Sequence, residues 1–231
     1  MQLDLDGAQL FPQALTPADT AALGDLLSAF AGTGPGTRLF PPRDGEGDRA
    51  KPGGGGPALA KLLNSANQIA RHLLGTSACP VRAIFFDKNP ERNWSLGWHQ
   101  DRTIAVRARI DTPGFTDWTA KSGIHHVVPP FEILQRTLTL RLHLDNAAED
   151  NAPLLVAPGS HRLGRIPERE IPAAVARCGT AACLADAGDI WAYFTPILHA
   201  SERARPPRPP PRPPAALGGR GPAGRLEWLG V

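Results

Sequence analysis

Apolar side chains recur at helical spacing in two stretches of the first eighty residues. In the first, Thr16 is a typical N-cap residue and Pro17 suits the first helical turn, which predicts a helix over 17–31. The second stretch is followed by a glycine and predicts a helix over 57–74. The Gly- and Pro-rich residues 32–56 between them are predicted to form a loop. The apolar positions are Leu23, Leu26, Leu27, Phe30, Leu59, Leu62, Leu63, Ile69, Leu73 and Leu74.

From Val81 onward the pattern changes to short apolar runs that are separated by turn residues. Several short strands without long helices between them predict a mainly β fold, a sandwich or a barrel, behind N-terminal helices. The segment Thr137–Asp145 alternates strictly, so its four leucines face one side. Its polar face either meets solvent or lines a wet cavity. The predicted strands are Val81–Asp87, Thr103–Ile110, Thr137–Asp145, Leu154–Val156, Asp189–Phe194 and Ile197–Ala200.

Composition places the chain among ordinary globular proteins. Its 231 residues are 42% hydrophobic and 20% charged, which suffices to bury a core. We expect a helical and loop part over 1–80 that packs on a β core over 81–203. An irregular Pro/Arg-rich segment over 204–223 and a C-terminal end over 224–231 follow.

The net charge of +3 comes from the C-terminal segment. Residues 203–225 hold six arginines and no acid, so the remainder carries 19 basic and 22 acidic side chains. Nucleic acid is therefore not an expected partner, because its electrostatic footprint would have to lie on the folded body. The three cysteines form no C-x-x-C motif, and the chain shows neither a signal peptide nor an apolar run of about 18 residues. These features predict a cytoplasmic protein without membrane contact.

Two histidines begin an H-x-D motif, at His99-Gln-Asp101 and at His143-Leu-Asp145. Side chains two residues apart on a strand point to the same face, so either pair could contribute to a metal site. His199 offers a third ligand on a strand-like segment far along the chain. Two imidazoles and one carboxylate with open coordination positions suit non-haem Fe(II) and oxygen chemistry. The spacing alone leaves both pairs open.

Longer motifs occur in a fixed order between about residues 81 and 201. They are Phe85–Pro90, Asn93-Trp94, Gly97–Asp101, Gly123–His126 with Pro129-Pro130, Leu140–Asp145, Pro158–Arg162, Gly188–Trp191 and His199–Ser201. Together they resemble the phytanoyl-CoA dioxygenase family. The resemblance implies a double-stranded β-helix (jelly roll, cupin-like) that binds Fe(II), 2-oxoglutarate and O2. By the same resemblance His99, Asp101 and His199 match the iron ligands, and the second H-x-D pair lines the pocket or is structural.

The resemblance also implies a reaction. A family member decarboxylates 2-oxoglutarate to succinate while it hydroxylates its substrate, here expected to be a small molecule. Gln100 and Ser201 are candidates to orient the metal ligands or the cofactor, because metal-bound histidines commonly donate a second hydrogen bond. Residues near the metal loop or on the polar strand face are the candidate substrate contacts, namely Lys88, Asn93, Trp98, His126 and Arg141.

The chain departs from the family pattern after the last histidine. The family holds the 5-carboxylate of 2-oxoglutarate with an arginine about eleven residues beyond it, where this chain has Pro210. Arg208 and Arg212 flank that position and are the candidate cofactor-binding cations, since a guanidinium suits a carboxylate. Seven of the nine residues 206–214 are proline, which excludes an interior strand there. We hypothesise that a local reading-frame error replaced a strand over about 206–223, because CGC arginine codons read two bases later give CCG proline codons.

Two other functions remain open on the sequence. One is a jelly-roll protein whose metal site performs no oxidation, or an impaired relative that lacks the oxoglutarate arginine. The other is an interaction protein that acts through its polyproline tail, because Arg208-x-x-Pro211-x-x-Pro214 matches a ligand for SH3-type domains.

Overall fold

The architecture comes from a computed structural model that describes residues 1–28, 37–39, 63–88, 93–121, 124–204 and 223–230. Within these residues the helices are α1 (Leu3–Asp6), α2 (Pro17–Ser28), α3 (Asn64–Leu74), α4 (Phe131–Gln135) and α5 (Ile171–Cys178), with 3-10 turns at Ser160–Arg162 and Glu168–Glu170. The strands are β1 (Ala8–Phe11), β2 (Thr37–Leu39), β3 (Pro80–Lys88), β4 (Leu96–His99), β5 (Ile104–Val106), β6 (Thr116–Lys121), β7 (Ile124–Val128), β8 (Leu138–His143), β9 (Leu154–Val156), β10 (Ala181–Cys183), β11 (Ile190–Phe194), β12 (His199–Ser201) and β13 (Ala223–Gly230).

The strands form three antiparallel sheets. The largest has the order β1-β11-β8-β13-β3-β2, the second β10-β9-β12-β4, and the third β5-β7-β6. The two larger sheets are the walls of a jelly roll, because Trp191 and Tyr193 of β11 pack with Leu154 and Val156 of β9 in one apolar cluster. The predicted fold class, a mainly β double-stranded β-helix with N-terminal helices, is confirmed.

Strand β8 separates the outer core from the barrel interior. Leu140 and Leu142 pack outward against a cluster that includes Leu23 of α2. The alternating polar side chains point the other way and are nevertheless buried; these are Thr139, Arg141 and His143. The polar face predicted for this strand therefore lines the interior and does not meet solvent.

The N-terminal part contains strands as well as the predicted helices. The helix predicted over 17–31 is observed over Pro17–Ser28 as α2, and residues 29–31 lie outside the described residues. At its start the Asp19 N–H donates to Thr16 Oγ1 at 3.1 Å. The helix predicted over 57–74 begins at Asn64 in α3, and residues 57–62 lie outside the described residues. Strand β2 falls within the predicted loop 32–56 and pairs with β3. Within the described part of the chain, every helix is too short or too polar to cross a bilayer.

The C-terminal strand β13 lies in the middle of the largest sheet. Its backbone pairs with β3 on one side and β8 on the other. In this register Arg225 is opposite His143, Glu227 is opposite Arg141 and Trp228 is opposite Leu140. The jelly roll therefore includes 223–230 in addition to the core expected over 81–203.

His161 closes the interface between α1 and the jelly roll, and its environment disfavours protonation. Its ring stacks on Phe194 with centroids 5.2 Å apart, and Gly7, at φ 83°, lies so close to the ring that a Cβ there would clash with Nδ1. Burial, followed by the charge of Arg162, lowers the pKa of His161, although Asp4 and Asp6 act in the opposite direction.

This lowered pKa predicts a pH-dependent stability. The unfolded chain takes up the His161 proton more readily than the folded one, so the stabilisation is complete above a pH of about 6.5 and is lost as the pH falls through the folded pKa. We expect the urea midpoint to fall between pH 7.5 and pH 5.5, and to fall less in His161→Gln. His72→Gln, which changes an exposed histidine of α3, serves as the control and should keep the wild-type pH dependence.

Candidate metal centre

Two histidines from neighbouring strands meet at the open end of the barrel. His99 of β4 and His199 of β12 are direct cross-strand partners, and their ring centroids lie 4.2 Å apart. Asp101 follows β4 by two residues, and the potential ligand atoms of all three side chains lie within 4.8 Å of one another. Ligands about 2.0–2.2 Å from a shared first-row metal ion lie roughly 3 Å apart, so small side-chain movements bring these atoms into a coordination sphere.

Backbone carbonyls fix the orientation of both imidazoles. His99 Nδ1–H donates to the Gly97 carbonyl at 2.7 Å, and His199 Nδ1–H donates to the Ile197 carbonyl at 2.9 Å. Each acceptor is two residues before its histidine. Because Nδ1 holds the proton in this arrangement, Nε2 keeps its lone pair for a metal ion. The donor set, two imidazole Nε2 atoms and one carboxylate, fits Fe(II) with open coordination positions.

The centre is closed on one side and open on the other. His199 is buried, and the ring centroid of Tyr193 lies 5.8 Å from its own. His99 and Asp101 are half-buried and line a cleft of about 620 Å³. A bound ion would therefore be shielded by the barrel and accessible from the cleft.

Gln100, one of the two predicted orienting residues, is held by backbone groups away from the metal ligands. The Gln100 side chain is buried and has three backbone partners, donating to the carbonyls of Gly164 and Pro196 and accepting from the Ile166 N–H. It anchors the 164–166 loop beneath the metal loop, and backbone carbonyls orient the imidazoles instead. Ser201 ends β12, paired with Leu96 on β4.

Two of the predicted substrate contacts near the metal loop, Asn93 and Trp98, make contacts within the protein. The Asn93 amide donates to the Ala204 carbonyl at 2.7 Å and accepts from the Ala204 N–H at 2.9 Å, so it holds the chain where it leaves β12. Trp98 packs against the apolar cluster that includes Ile171 and also lines the cleft. Lys88 is the last residue of β3, paired with Ala223.

The other two predicted contacts lie within the barrel. His126 is buried; its Nδ1–H donates to the Ile124 carbonyl, and its Nε2 lies 3.5 Å from Arg82 Nη1. Arg141 is buried on the interior face of β8. Burial raises the pKa of Cys183 on the second sheet to about 12, and the charge of Arg141 opposes this rise.

The second H-x-D pair is separate from the metal group. His143 is fully buried on β8, where it pairs with Arg225 of β13. Among the described residues, the metal-ligating group consists of His99, Asp101 and His199 alone. Arg208 and Arg212, the predicted oxoglutarate-binding cations, lie outside the described residues.

Sequence reasoning missed several charged groups around the site. Arg102, Lys121 and Glu168 line the cleft beside the metal ligands. Arg82 lines a small cavity that also contacts Asp101. Lys121 lies two residues before the Gly123–His126 motif and Glu168 six residues after the Pro158–Arg162 motif, but neither belongs to a motif, so no motif identified them. Four apolar residues in a row, Ala83–Phe86, follow Arg82, so no alternation along β3 marks the face that it occupies.

The family model for Phytanoyl-CoA dioxygenase (PhyH) matches residues 3–209, most of the chain. The protein belongs to the phytanoyl-CoA dioxygenase family. Membership of the phytanoyl-CoA dioxygenase family agrees with the jelly roll and with the position of the His-Asp-His group. No curated protein sequence matches the chain.

Solved structures share the fold at low sequence identity. AviO1 from Streptomyces viridochromogenes Tue57 is 16% identical, with a TM-score of 0.61 over 99% of this chain and 91% of its own. EctD from S. alaskensis, in a structure with 2-oxoglutarate and 5-hydroxyectoine, is 17% identical, with a TM-score of 0.63 over 99% of this chain and 73% of its own. SnoN, a non-haem alpha-ketoglutarate-dependent epimerase from nogalamycin biosynthesis, is 14% identical, with a TM-score of 0.60 over 100% of this chain and 79% of its own.

Proposed function

We propose that this protein is an Fe(II)- and 2-oxoglutarate-dependent oxygenase that hydroxylates a small molecule. The observation that carries the proposal is the convergence of His99, Asp101 and His199 on one point, with both Nδ1–H groups held by backbone carbonyls. Iron and 2-oxoglutarate together supply the activation of O2, with release of succinate and CO2. The three free cysteines support the expected cytoplasmic location, since disulfides are rare there.

The protein's own residues would hold the metal and keep the reacting centre dry. Asp101 and the two imidazoles would occupy one face of the ion and leave the other face for cofactor and oxygen. Val156, Tyr193 and Ile197, all buried, pack together on the interior side and limit the access of water. The cleft in front of His99 and Asp101 is the route by which a substrate would reach the metal.

The interior is suited to a dianionic cofactor. Arg82 and Arg141 both lie on its walls. The other interior side chains of β8 are the hydroxyl of Thr139 and the imidazole of His143, and neither is a carboxylate. Strand β13 carries Arg225 at the register position opposite His143 and Phe86. Because β13 is the next strand after β12 among the described residues, we assign the family's carboxylate-binding position to Arg225 and not to Arg208 or Arg212.

Cofactor binding tests the function directly. The anaerobic protein with Fe(II) should develop the visible charge-transfer absorption of a chelated Fe(II)–oxoglutarate pair when 2-oxoglutarate is added. Admission of O2 should then release succinate, and hydroxylation is established when a metabolite panel yields a product one oxygen atom heavier. A protein that binds the metal but not 2-oxoglutarate would disprove the proposal.

Replacing the assigned arginine should weaken cofactor binding. Arg225→Gln should raise the dissociation constant of 2-oxoglutarate by about 10- to 100-fold, because charge-assisted hydrogen bonds contribute roughly 1.5–3 kcal/mol. Calorimetry on Ni(II)-loaded protein measures this without turnover. Arg208→Gln and Arg212→Gln are the matched controls and should bind as the wild type does; the reverse pattern would move the assignment back to them.

A non-oxidative metal-binding jelly roll is the second candidate. Pro210 at the family's arginine position favours it, because a chain without that cation would hold the metal but lose the cofactor. The same calorimetric titration separates the two functions, since only the oxygenase requires 2-oxoglutarate to bind.

A further inference from the structure

The cleft beside the metal ligands combines an apolar wall with charged side chains. Trp98, Ile171 and Pro172 line one part of it, and Arg102, Lys121 and Glu168 line the rest. Its volume of about 620 Å³ lies within the range of roughly 300–1,000 Å³ that is typical of small-molecule sites. An occupant therefore meets both apolar surface and formal charge next to His99 and Asp101.

Two of these three charges are already engaged with the protein. Arg102 Nη2 donates to the Ile166 carbonyl at 2.7 Å, and Arg102 Nη1 lies 3.6 Å from Glu168 Oε1. The Arg102 side chain is 29% exposed, which fits a cation held against the cleft wall. The pair is neutral as a unit and leaves no excess charge for an occupant.

Lys121 is the remaining cation of the cleft. It ends β6, opposite Ile124 of β7, and its side chain is exposed. Among the described residues no carboxylate lies within ion-pair distance of it. With Asp101 committed to the metal group and Arg102 paired with Glu168, the charge that the described cleft offers to an occupant is the single positive charge of Lys121.

We propose that Lys121 binds an anionic group of the substrate, a carboxylate or a phosphate monoester, while the apolar body of the substrate lies on Trp98, Ile171 and Pro172. This assignment rests on the proposed oxygenase function and specifies its substrate class as an organic anion with an apolar part. Lys121 acts as a specificity-determining residue. The carboxylates of 2-oxoglutarate have other candidate cations, namely the assigned Arg225 and the interior Arg82 and Arg141, so Lys121 on the cleft side is available to the substrate.

Pairs of charged and neutral probes test the proposal on Ni(II)- and 2-oxoglutarate-loaded protein. The carboxylate pair is phenylacetate against phenylacetamide, and the phosphate pair is benzyl phosphate against benzyl alcohol. In at least one pair, the anion should bind about 10-fold more tightly than its neutral partner, as expected for one charge-assisted contact. The pair that shows the preference identifies the anionic group. Lys121→Met should abolish the preference, and Lys121→Arg should retain most of it.

Arg109→Gln is the matched control. Arg109 is an exposed cation that lies over Trp118 of the same three-stranded sheet and pairs with Asp111, outside the cleft. Its replacement should leave the preference unchanged, which excludes a general effect of removing a nearby charge or disturbing β6.

Amine acetylation gives a readout that does not depend on a variant. The chain has four lysines, Lys51, Lys61, Lys88 and Lys121, so mass spectrometry can follow each separately. The preferred anion should slow acetylation of Lys121 and leave the other three unchanged, and its neutral partner should protect none.

The outcomes distinguish the role of Lys121 from the proposed oxygenase function on which it rests. Protein that fails to bind Ni(II) and 2-oxoglutarate overturns the oxygenase and this assignment together. Protein that binds both, but shows equal affinity or no affinity for both members of each probe pair, overturns the role of Lys121 alone. A preference that persists in Lys121→Met does the same.

Discussion

Replacing His199 by alanine is expected to lower the affinity for Fe(II) or Ni(II) by about 100-fold or more, because loss of a hydrogen-bonding partner behind a ligand already costs roughly 10- to 100-fold. The variant removes one of three ligand atoms that lie within 4.8 Å of one another. Succinate formation should fall below detection. Metal content after anaerobic dialysis and calorimetry with Ni(II) provide measurements that are independent of turnover.

His99→Ala and Asp101→Asn should act in the same way, since each removes or weakens one ligand of the same group. His125→Ala is the matched control: it lies on β7, outside the metal group, and should keep the wild-type affinity. Circular dichroism must show that all variants remain folded. A folded His199→Ala protein with unchanged metal affinity would show that the ion is bound elsewhere.

Local spacing offered two H-x-D pairs for the metal group, and the family resemblance selected His99 and Asp101. His99 and Asp101 are two residues apart and end a strand, so their spacing brings them to one face. The sequence offered His199 as a third ligand on a distant strand-like segment, the family resemblance matched it to an iron ligand, and the structure brings it opposite His99 through the pairing of β12 with β4. Strand pairing over a hundred residues is a tertiary property, which no local pattern encodes.

The groups that orient and surround the metal could not be predicted in this way. The imidazoles donate to carbonyls of Gly97 and Ile197, and backbone acceptors carry no sequence signature. Gln100 was a reasonable candidate for that task by proximity, but its alternation with His99 and Asp101 turns it towards the 164–166 loop. Lys121 lines the cleft because the third sheet, β5-β7-β6, places the end of β6 there. The pattern of short strands in the sequence did not predict how these strands pair.

The C-terminal strand shows where local and tertiary information conflict. The proline run 206–214 cannot form the interior strand that the family pattern requires, yet the slot between β8 and β3 is filled by 223–230. In its register Leu226 and Trp228 lie opposite Leu142 and Leu140 of β8, and Arg225 and Glu227 lie opposite His143 and Arg141. The reading-frame hypothesis stays a prediction, and compensating shifts in the nucleotide sequence would support it.

Deleting residues 223–231 is expected to prevent folding. The deletion removes the partner of six residue pairs on β8 and eight on β3, and leaves two facing strand edges without hydrogen bonds in the middle of a sheet. Each buried backbone group without a partner costs about 1–3 kcal/mol, so a few of them equal the whole stability of about 5–15 kcal/mol of a typical domain. Loss of soluble protein, or loss of a cooperative thermal transition, measures the effect.

A chain in which 206–222 is replaced by a Gly/Ser segment of equal length is the control, because it keeps β13 and removes the proline run. It should fold with a thermal midpoint close to that of the wild type. If instead the truncated chain melts as the wild type does, strand 223–230 contributes nothing to the sheet, and the assignment of Arg225 to the cofactor is lost with it. If the Gly/Ser chain fails to fold while the truncated chain folds, the Pro/Arg segment itself completes the jelly roll.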